Sequence, residues 1–273
     1  MKENRALVSI IMGVYNGETF LREAMDSILA QTYQNWELIV CNDGSADDTG
    51  ALLKEYASKD SRVRVITHKV NKGLASSLND CLEYVRGEYI ARMDCDDKSV
   101  PNRLERQVDY LDSHRDCDLV GTFMQAFSGG ELPHVIETKE IPTKYDLPKG
   151  APFAHATIMV RTSVMKALGG YCVSGHTVRT EDVDLWYRFF AKGYRGVNIP
   201  EVLYLVRMDS AAYQRRKLKY MLHASYIIWY GCDMVDLPAW YKIFCLKPIL
   251  SWLFPAKIKI ALRKILVHRE WKS

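Results

Sequence analysis

No apolar run of about 18 residues occurs anywhere in the chain, so no membrane-spanning helix is expected. Cysteines paired at CxxC spacing are also missing. The seven cysteines (Cys41, Cys81, Cys95, Cys117, Cys172, Cys232 and Cys245) are scattered and odd in number. That pattern speaks for reduced thiols in a cytosolic compartment and against a zinc site or a disulfide framework. No GxGxxG follows the first apolar strand, and no GK[ST] loop at P-loop spacing occurs, so a dinucleotide fold and a P-loop are both disfavoured. Met1-Lys-Glu-Asn-Arg-Ala leads directly into that strand, and no signal peptide is expected. What remains is an ordinary globular composition. The chain has 273 residues, 48% apolar and 26% charged, enough for one large α/β domain or one domain with an appendage. Charge is unevenly spread. From Tyr213 to Ser273 there are 12 Lys/Arg against 3 Asp/Glu, whereas residues 1–212 carry 25 against 30. An acidic body therefore ends in a basic tail.

The body alternates between two periods. Residues 7–12, 36–41, 63–66 and 89–93 are short, β-branched apolar runs of the kind buried on both faces of a sheet. Helical spacing fills the intervals, with Phe20, Leu21, Ala24, Ile28 and Leu29 in the first, Leu52, Leu53 and Tyr56 in the second, and residues 74–85 in the third. Four strands joined by three helices on short loops imply a parallel, right-handed, doubly wound sheet. All four strands end in polar or glycine-rich loops: Tyr15-Asn16, Asn42-Asp43-Gly44, residues 68–73, and residues 94–97. Ligands of such sheets bind outside the carboxyl ends of the strands. One edge should therefore collect all four loops.

The fourth strand ends in three carboxylates within four residues, Asp94, Asp96 and Asp97. Hard oxygen ligands there suit Mg²⁺ or Mn²⁺, which keep waters and bind substrate phosphates. The plain alternative is an acidic turn capping the helix that begins near Pro101. A second acidic landmark is Thr180-Glu181-Asp182-Val-Asp184. Thr180 reads as the N-cap of a helix reaching about Lys192, with acids in its first turn and Asp184 facing Arg188 at i, i+4. Residues 101–111 predict a helix whose Arg103 and Arg106 are solvated charges, and residues 119–127 a strand. Residues 131–150 hold three prolines and read as a loop over the site, and 194–199 and 202–207 as two terminal strands. The segment from Gly169 to Arg179 is a glycine-containing loop suited to closing on a ligand.

Five ordered motifs resemble the family-2 inverting glycosyltransferases of GT-A fold, of the bacterial cell-surface polysaccharide type. They are Val8-Ser-Ile-Ile-Met-Gly-Val-Tyr-Asn16, Gln31-Thr-Tyr-Gln-Asn-Trp-Glu-Leu-Ile-Val, Asn42-Asp-Gly-Ser45, Asn71-Lys-Gly-Leu74 and Tyr89-Ile-Ala-Arg-Met-Asp-Cys-Asp-Asp97, and the likeness spans residues 5–207. The resemblance implies a Rossmann-like, mostly parallel GT-A sheet in residues 1–210; beyond Asp209 it fades, and residues 211–273 read from their own spacing and charge as a helical basic extension. The resemblance also implies a nucleoside-diphosphate sugar donor, UDP-sugar first, and Mn²⁺ or Mg²⁺ ligated by Asp96. Tyr15, Asn16, Asp43, Asn71, Gly73, Arg92, Asp94 and His155 become donor-binding residues by the same likeness. Tyr15 and Asp43 then lie at the base, Asp94 near the ribose and donor sugar, and His155 at the sugar or diphosphate. Residues 154–161 resemble a strand beneath the acceptor side, and Arg207 is a further candidate for diphosphate contact. Asp182 becomes the catalytic base and Glu181 its neighbour.

The expected reaction is metal-dependent, inverting transfer of a hexose or N-acetylhexosamine to a glycan or lipid-linked acceptor hydroxyl. Two other classes compete: a non-catalytic nucleotide-sugar binding protein, and a GT-A-like nucleotidyltransferase. The latter needs a basic glycine-rich loop after the first strand, which Gly13-Val-Tyr-Asn-Gly17 does not supply. In the tail, Ile258, Ala261, Leu262, Ile265 and Leu266 share one face of residues 256–268, while Lys257, Lys259, Arg263 and Lys264 lie mostly away from it. Such a basic amphipathic helix suits peripheral adsorption onto the anionic cytoplasmic face of the cell membrane. Docking on the acidic body is the alternative. No nucleic-acid motif accompanies the basic charge, so no nucleic-acid partner is expected.

Overall fold

A computed structural model describes residues 5–127, 134–208 and 217–253. Strand β1 (Val8–Val14) is apolar along nearly its whole length and sits inside the sheet, covered on both faces. Parallel to it run β2 (Trp36–Asn42), β3 (Val63–Thr67) and β4 (Tyr89–Arg92). Side chains alternate across a strand, so two cores form. Val8, Ile10 and Met12 enter one, with α1 (Leu21–Leu29) and α2 (Thr49–Lys59), while Ile11 enters the other, with α3 (Leu74–Leu82). This is the doubly wound half that the alternating periods predict.

Strands β5 (Lys98–Ser99), β6 (Leu119–Phe127), β7 (Val135–Ile136), β8 (Met159–Arg161) and β9 (Gly196–Arg207) extend it to nine strands in the order β3-β2-β1-β4-β8-β6-β9-β5, with β7 on β6. β8 is antiparallel to both β4 and β6, whereas β6 and β9 are parallel. Residues 194–199 and 202–207, expected as two strands, belong to one. Its register slips where Thr122 pairs Ile199 but Phe123 pairs Val202. Pro200 lies in that gap and cannot donate to the ladder.

The remaining helices are α4 (Arg103–Ser113), α5 (Thr162–Leu168), α6 (Glu181–Ala191), α7 (Leu218–Met234) and α8 (Leu246–Leu253). Helix α7 packs on α6 at Gly231, where a Cβ would stand 2.5 Å from the Tyr187 ring. Ile227, Ile228 and Cys232 of α7 join Leu185, Trp186 and Phe189 in the second core. The C-terminal elements thus share a core with the sheet. The expected basic helix at 256–268 lies outside the described residues. Among the described residues no helix is long and apolar enough to cross a membrane, and all seven cysteines are free.

Arg103 corrects the sequence reading. Rather than a solvated charge, it is 1% exposed, donates to the Arg92 carbonyl at 2.8 Å and to Gln107 Oε1 at 3.0 Å, and lies over the Tyr204 ring. Burial pushes its pKa down to about 10. From the start of α4 its guanidinium reaches the main-chain carbonyls of Arg92, Ala156 and Ile158, which need a long-armed donor. Arg106 does reach the surface, where it pairs with Glu201.

Candidate active site

The first and second loops are stitched together by Asn16. Its amide donates to Ser45 Oγ at 2.9 Å and its Oδ1 accepts from the Ala46 amide at 3.0 Å, in a left-handed conformation (φ 51°) that Asn tolerates. Its side chain therefore supports the loop, while neighbouring Tyr15 stands 51% exposed at the rim. Asp43 is buried. It accepts from the amides of Lys72 and Gly73, both at 2.8 Å, and meets His68 Nδ1 at 2.7 Å, whose Nε2 in turn contacts Asp80 at 2.5 Å. The glycine is required by φ 91°, although space around it is open. Gly73→Ala should therefore lower stability by about 1–2 kcal/mol through backbone strain alone. Thermal melting checks this, and a loss much above that range would mean a hidden steric clash.

These loops form one wall of a polar cleft of about 450 Å³, with Tyr15, Asp43, Asn71 and Gly73 on one side and Thr177, Arg179 and Glu181 on the other. The loop following Gly169 and Gly170 (φ 72° and 71°) supplies the second wall. The described part of 131–150 does not line this cleft. Its turn at Leu147–Lys149 lies on the other side of α6, against a separate apolar groove.

At the acidic strand end, Arg92 is buried and paired with Asp94, whose side chain is 33% exposed. Burial alone lowers the Arg92 pKa, but Asp94 more than offsets this and the net shift is upward. The pair is made through Arg92 Nη1, while its Nε lacks a hydrogen-bond partner. The Asp94 amide donates to Tyr204 Oη at 3.1 Å. Asp97 is buried and accepts from the Arg207 amide at 2.7 Å. Burial, reinforced by Asp94, pushes its pKa up to about 8. Arg207 Nε donates to the Asp96 carbonyl at 2.9 Å, and its guanidinium pairs with Glu23 and lies over Phe20. Arg207 thus braces the acidic loop, which leaves little of it for a diphosphate. The Asp96 residue is partly buried.

Opposite lies the start of α6. Thr180 occupies the N-cap position, but its hydroxyl turns back to the His176 carbonyl instead of capping. Burial raises the pKa of both Glu181 and Asp182. Hydrogen bonding to backbone amides (Val183 N in the case of Asp182) and Arg92 oppose the rise. Asp184 pairs with Arg188 at 2.7 Å, as its spacing predicts. His155 lies in a short 3₁₀ turn preceding β8, and the strand expected to include it begins only at Met159. Burial first, then Arg92, hold its pKa well below the usual range, so the ring is neutral. Its Nε2 meets Tyr171 Oη at 2.9 Å.

The structure thus brings Asp94, His155, Glu181 and Asp182 each within electrostatic reach of Arg92. Sequence reasoning missed four supports. His68 and Asp80 back Asp43. Asn79 grips Tyr171 through both its backbone groups at 2.8 Å, and Tyr204 lies beneath the acidic loop. Among the described residues no three His, Cys, Asp or Glu side chains converge as a ready metal cage.

A parallel half-sheet with a nucleotide-sized cleft at its carboxyl edge, extended by an antiparallel return through β8, is the GT-A arrangement of sugar-transferring enzymes. The chain belongs to glycosyl transferase family 2, whose model matches residues 9–168, and it is a glycosyltransferase. It is 44% identical to EpsE of Bacillus subtilis over 92% of this chain and 91% of that protein. It is 27% identical to Escherichia coli WfaP, named as a UDP-Glc:alpha-D-GlcNAc-diphosphoundecaprenol beta-1,3-glucosyltransferase, over 88% and 91%. Among solved structures, S. aureus TarS 1-349 with UDP-GlcNAc superposes with a TM-score of 0.70 at 19% identity, covering 89% of this chain and 71% of that one. The mannosyltransferase PcManGT of Pyrobaculum calidifontis with GDP-Man and Mn²⁺ gives 0.67 at 16% identity, covering 98% and 84%.

Proposed function

We propose that the protein transfers a hexosyl or N-acetylhexosaminyl unit from a nucleoside-diphosphate sugar, UDP-sugar first, to a hydroxyl of a glycan or lipid-linked acceptor, with inversion at C1, in cell-surface polysaccharide synthesis. The observation that carries this reading is the grouping of Asp94, Glu181 and Asp182 around buried Arg92, with Glu181 lining the cleft. TarS with UDP-GlcNAc and WfaP with its lipid-linked acceptor support the substrate classes.

In this reading Tyr15 stacks at the base, Asp43 bonds it, and Asp94 holds the ribose and donor sugar. Asn71 and Gly73 line the same wall. Arg92 sets its positive charge behind Asp94 to balance the diphosphate, and neutral His155 serves as a hydrogen-bonding group beside it. The donor set suits a hard divalent cation, since Mg²⁺ and Mn²⁺ sites need only one or two carboxylates plus substrate phosphate and water. Asp96 would hold it, and the bound ion supplies charge neutralisation to the leaving diphosphate. Asp182 takes the proton of the attacking acceptor hydroxyl, with Glu181 beside it. Residues 1–210 carry this chemistry. Residues 211–273 serve the acceptor side, with the basic 256–268 segment resting on the anionic cytoplasmic face of the membrane.

A donor panel tests the reading. UDP-, GDP- and dTDP-sugars are offered with Mn²⁺ or Mg²⁺, and the anomeric configuration of the product is read by NMR. Saturable, metal-dependent binding of one donor with inverted product is expected, and no metal-dependent binding of any donor overturns the reading. The pH profile adds a second check. A base works deprotonated, so activity is lost as pH falls through its pKa. Because burial raises the Asp182 pKa, the acid limb of kcat/KM should lie above the ordinary carboxylate range. An acid limb at the unperturbed Asp value would contradict the assignment.

A further inference from the structure

We infer that the apolar groove on the far side of α6 binds the lipid anchor of the acceptor, a long isoprenyl or acyl chain ending in phosphate or diphosphate. This rests on the transferase reading above and assigns its acceptor a place. The groove, about 250 Å³, is walled by Leu147, Pro148, Val183, Trp186, Ile228 and Pro248. Its position relative to the base decides its use. Glu181 lines the donor cleft and Val183, two residues on, lines the groove. The first turn of α6, carrying Asp182, is thus the partition between a polar cavity and an apolar one. An acceptor anchored in the groove presents its first sugar where the base stands.

The chemistry of the lining names the ligand. Lys149 and Lys247 sit on the wall, the Lys247 ammonium reaching the Lys149 carbonyl, and no carboxylate lines the groove. Trp186 is buried, yet its indole N–H has no hydrogen-bond partner. The Lys149 ammonium lies over the Tyr241 ring at 5.9 Å, so an apolar trough edged by two lysines complements an amphiphile with an anionic head. Residues 254–273 carry six Lys/Arg against one acid, a charge of the same sign as Lys149 and Lys247.

The helices that wall the groove also connect it to an apolar exterior. Helix α7 lends Ile228 to the groove and, at i, i+4, i+7 and i+8 spacing, leaves Leu222, Tyr226, Trp229 and Tyr230 50–57% exposed. Helix α8 lends Pro248 and leaves Leu250 and Leu253 exposed at 50% and 60%. Lys242 lies over the Trp229 ring at 4.9 Å. Aromatic, leucine-rich faces edged by lysine suit a lipid interface, from which a chain slides into the groove without crossing water.

The test is photolabelling of the full chain with farnesyl diphosphate carrying a benzophenone at its terminal isoprene unit. Farnesyl, geranyl and isopentenyl diphosphates serve as competitors, and UDP-sugar binding is measured in the same preparation. Labels are expected within residues 147–152, 224–228 and 247–251. Competition should strengthen by about tenfold or more from isopentenyl to farnesyl diphosphate, since each added buried CH₂ favours binding. The double variant Lys149→Glu/Lys247→Glu should weaken farnesyl diphosphate about tenfold. Labels confined to the donor cleft, to Trp229 and Tyr230, or to residues 254–273 overturn the inference, as does competition independent of chain length. Protein that binds UDP-sugar but no farnesyl diphosphate loses the groove and keeps the transferase reading. Protein that binds neither loses both. The label map on unmutated protein decides even if the double variant fails to fold.

Discussion

Asp182→Asn is expected to lower kcat by about 10²–10⁴-fold while the donor Kd moves by less than about threefold. The substitution suits the question because Asn keeps the acceptor oxygen that Asp182 offers to the Val183 amide at 2.9 Å, so the first turn of α6 stays in place. What it removes is the ability to take a proton. An aspartate in water is a weak base near neutral pH. Burial raises the pKa of this one and thereby brings its basicity closer to that of a useful proton acceptor. Backbone hydrogen bonding and Arg92 oppose the rise. Glu181 shares the upward shift but lines the donor cleft, so Glu181→Gln should act mainly through KM. Steady-state kinetics beside calorimetric titration of donor separates the two. Turnover within about tenfold of the parent would remove Asp182 from the role of base, and equal loss of turnover and donor binding would make it a binding residue.

The parts of this site legible in the sequence are those whose signal is local. Four apolar runs ending in Asn16, Asp43, Gly73 and Asp94 announce a parallel sheet, because strand, turn and helix periods each lie within a dozen residues of one another. Gly73 could be read from its turn, and the structure gives the reason in φ 91° and the two amides that cradle Asp43. The supports were not legible. Asn79 meets Tyr171 across 92 residues, and Tyr204 meets the Asp94 amide across 110. No short-range pattern marks either end. Arg103 misled for a related reason. On a helix with mixed charge an arginine reads as solvated, and only its tertiary contacts with the Arg92 and Ile158 carbonyls bury it. Arg207 was a diphosphate candidate because it sits at a strand end, yet Glu23, Phe20 and the Asp96 carbonyl already claim its guanidinium. Loop 131–150 could be recognised as a loop from its prolines, but not which side of α6 it would cover.

Arg92→Met should lower kcat/KM by about 10²–10³-fold and leave the melting temperature unchanged or higher. The two halves of that expectation come from the same atoms. Arg92 is buried with Nη1 on Asp94 but Nε unsatisfied, and a buried charge with incomplete hydrogen bonding costs stability that an apolar side chain of similar length recovers. Its partner Asp94, one-third exposed, can turn to water instead of being stranded. The native protein therefore keeps a cation that folding does not need, at the point where Asp94, Glu181 and Asp182 meet. Loss of that cation also has a signed effect on pH dependence. Arg92 lowers the pKa of Asp182 against the larger upward push of burial. Without it the base protonates more readily, so the acid limb of the rate profile moves to higher pH. Arg92→Lys should restore the position of that limb, because the charge returns. It should not restore the rate, because a single ammonium cannot reproduce the guanidinium fork. Calorimetric melting, kcat/KM and the pH limb read all three. A variant that melts several degrees lower, with normal activity in its folded fraction, would make Arg92 a structural residue and return the donor's charge to the metal alone.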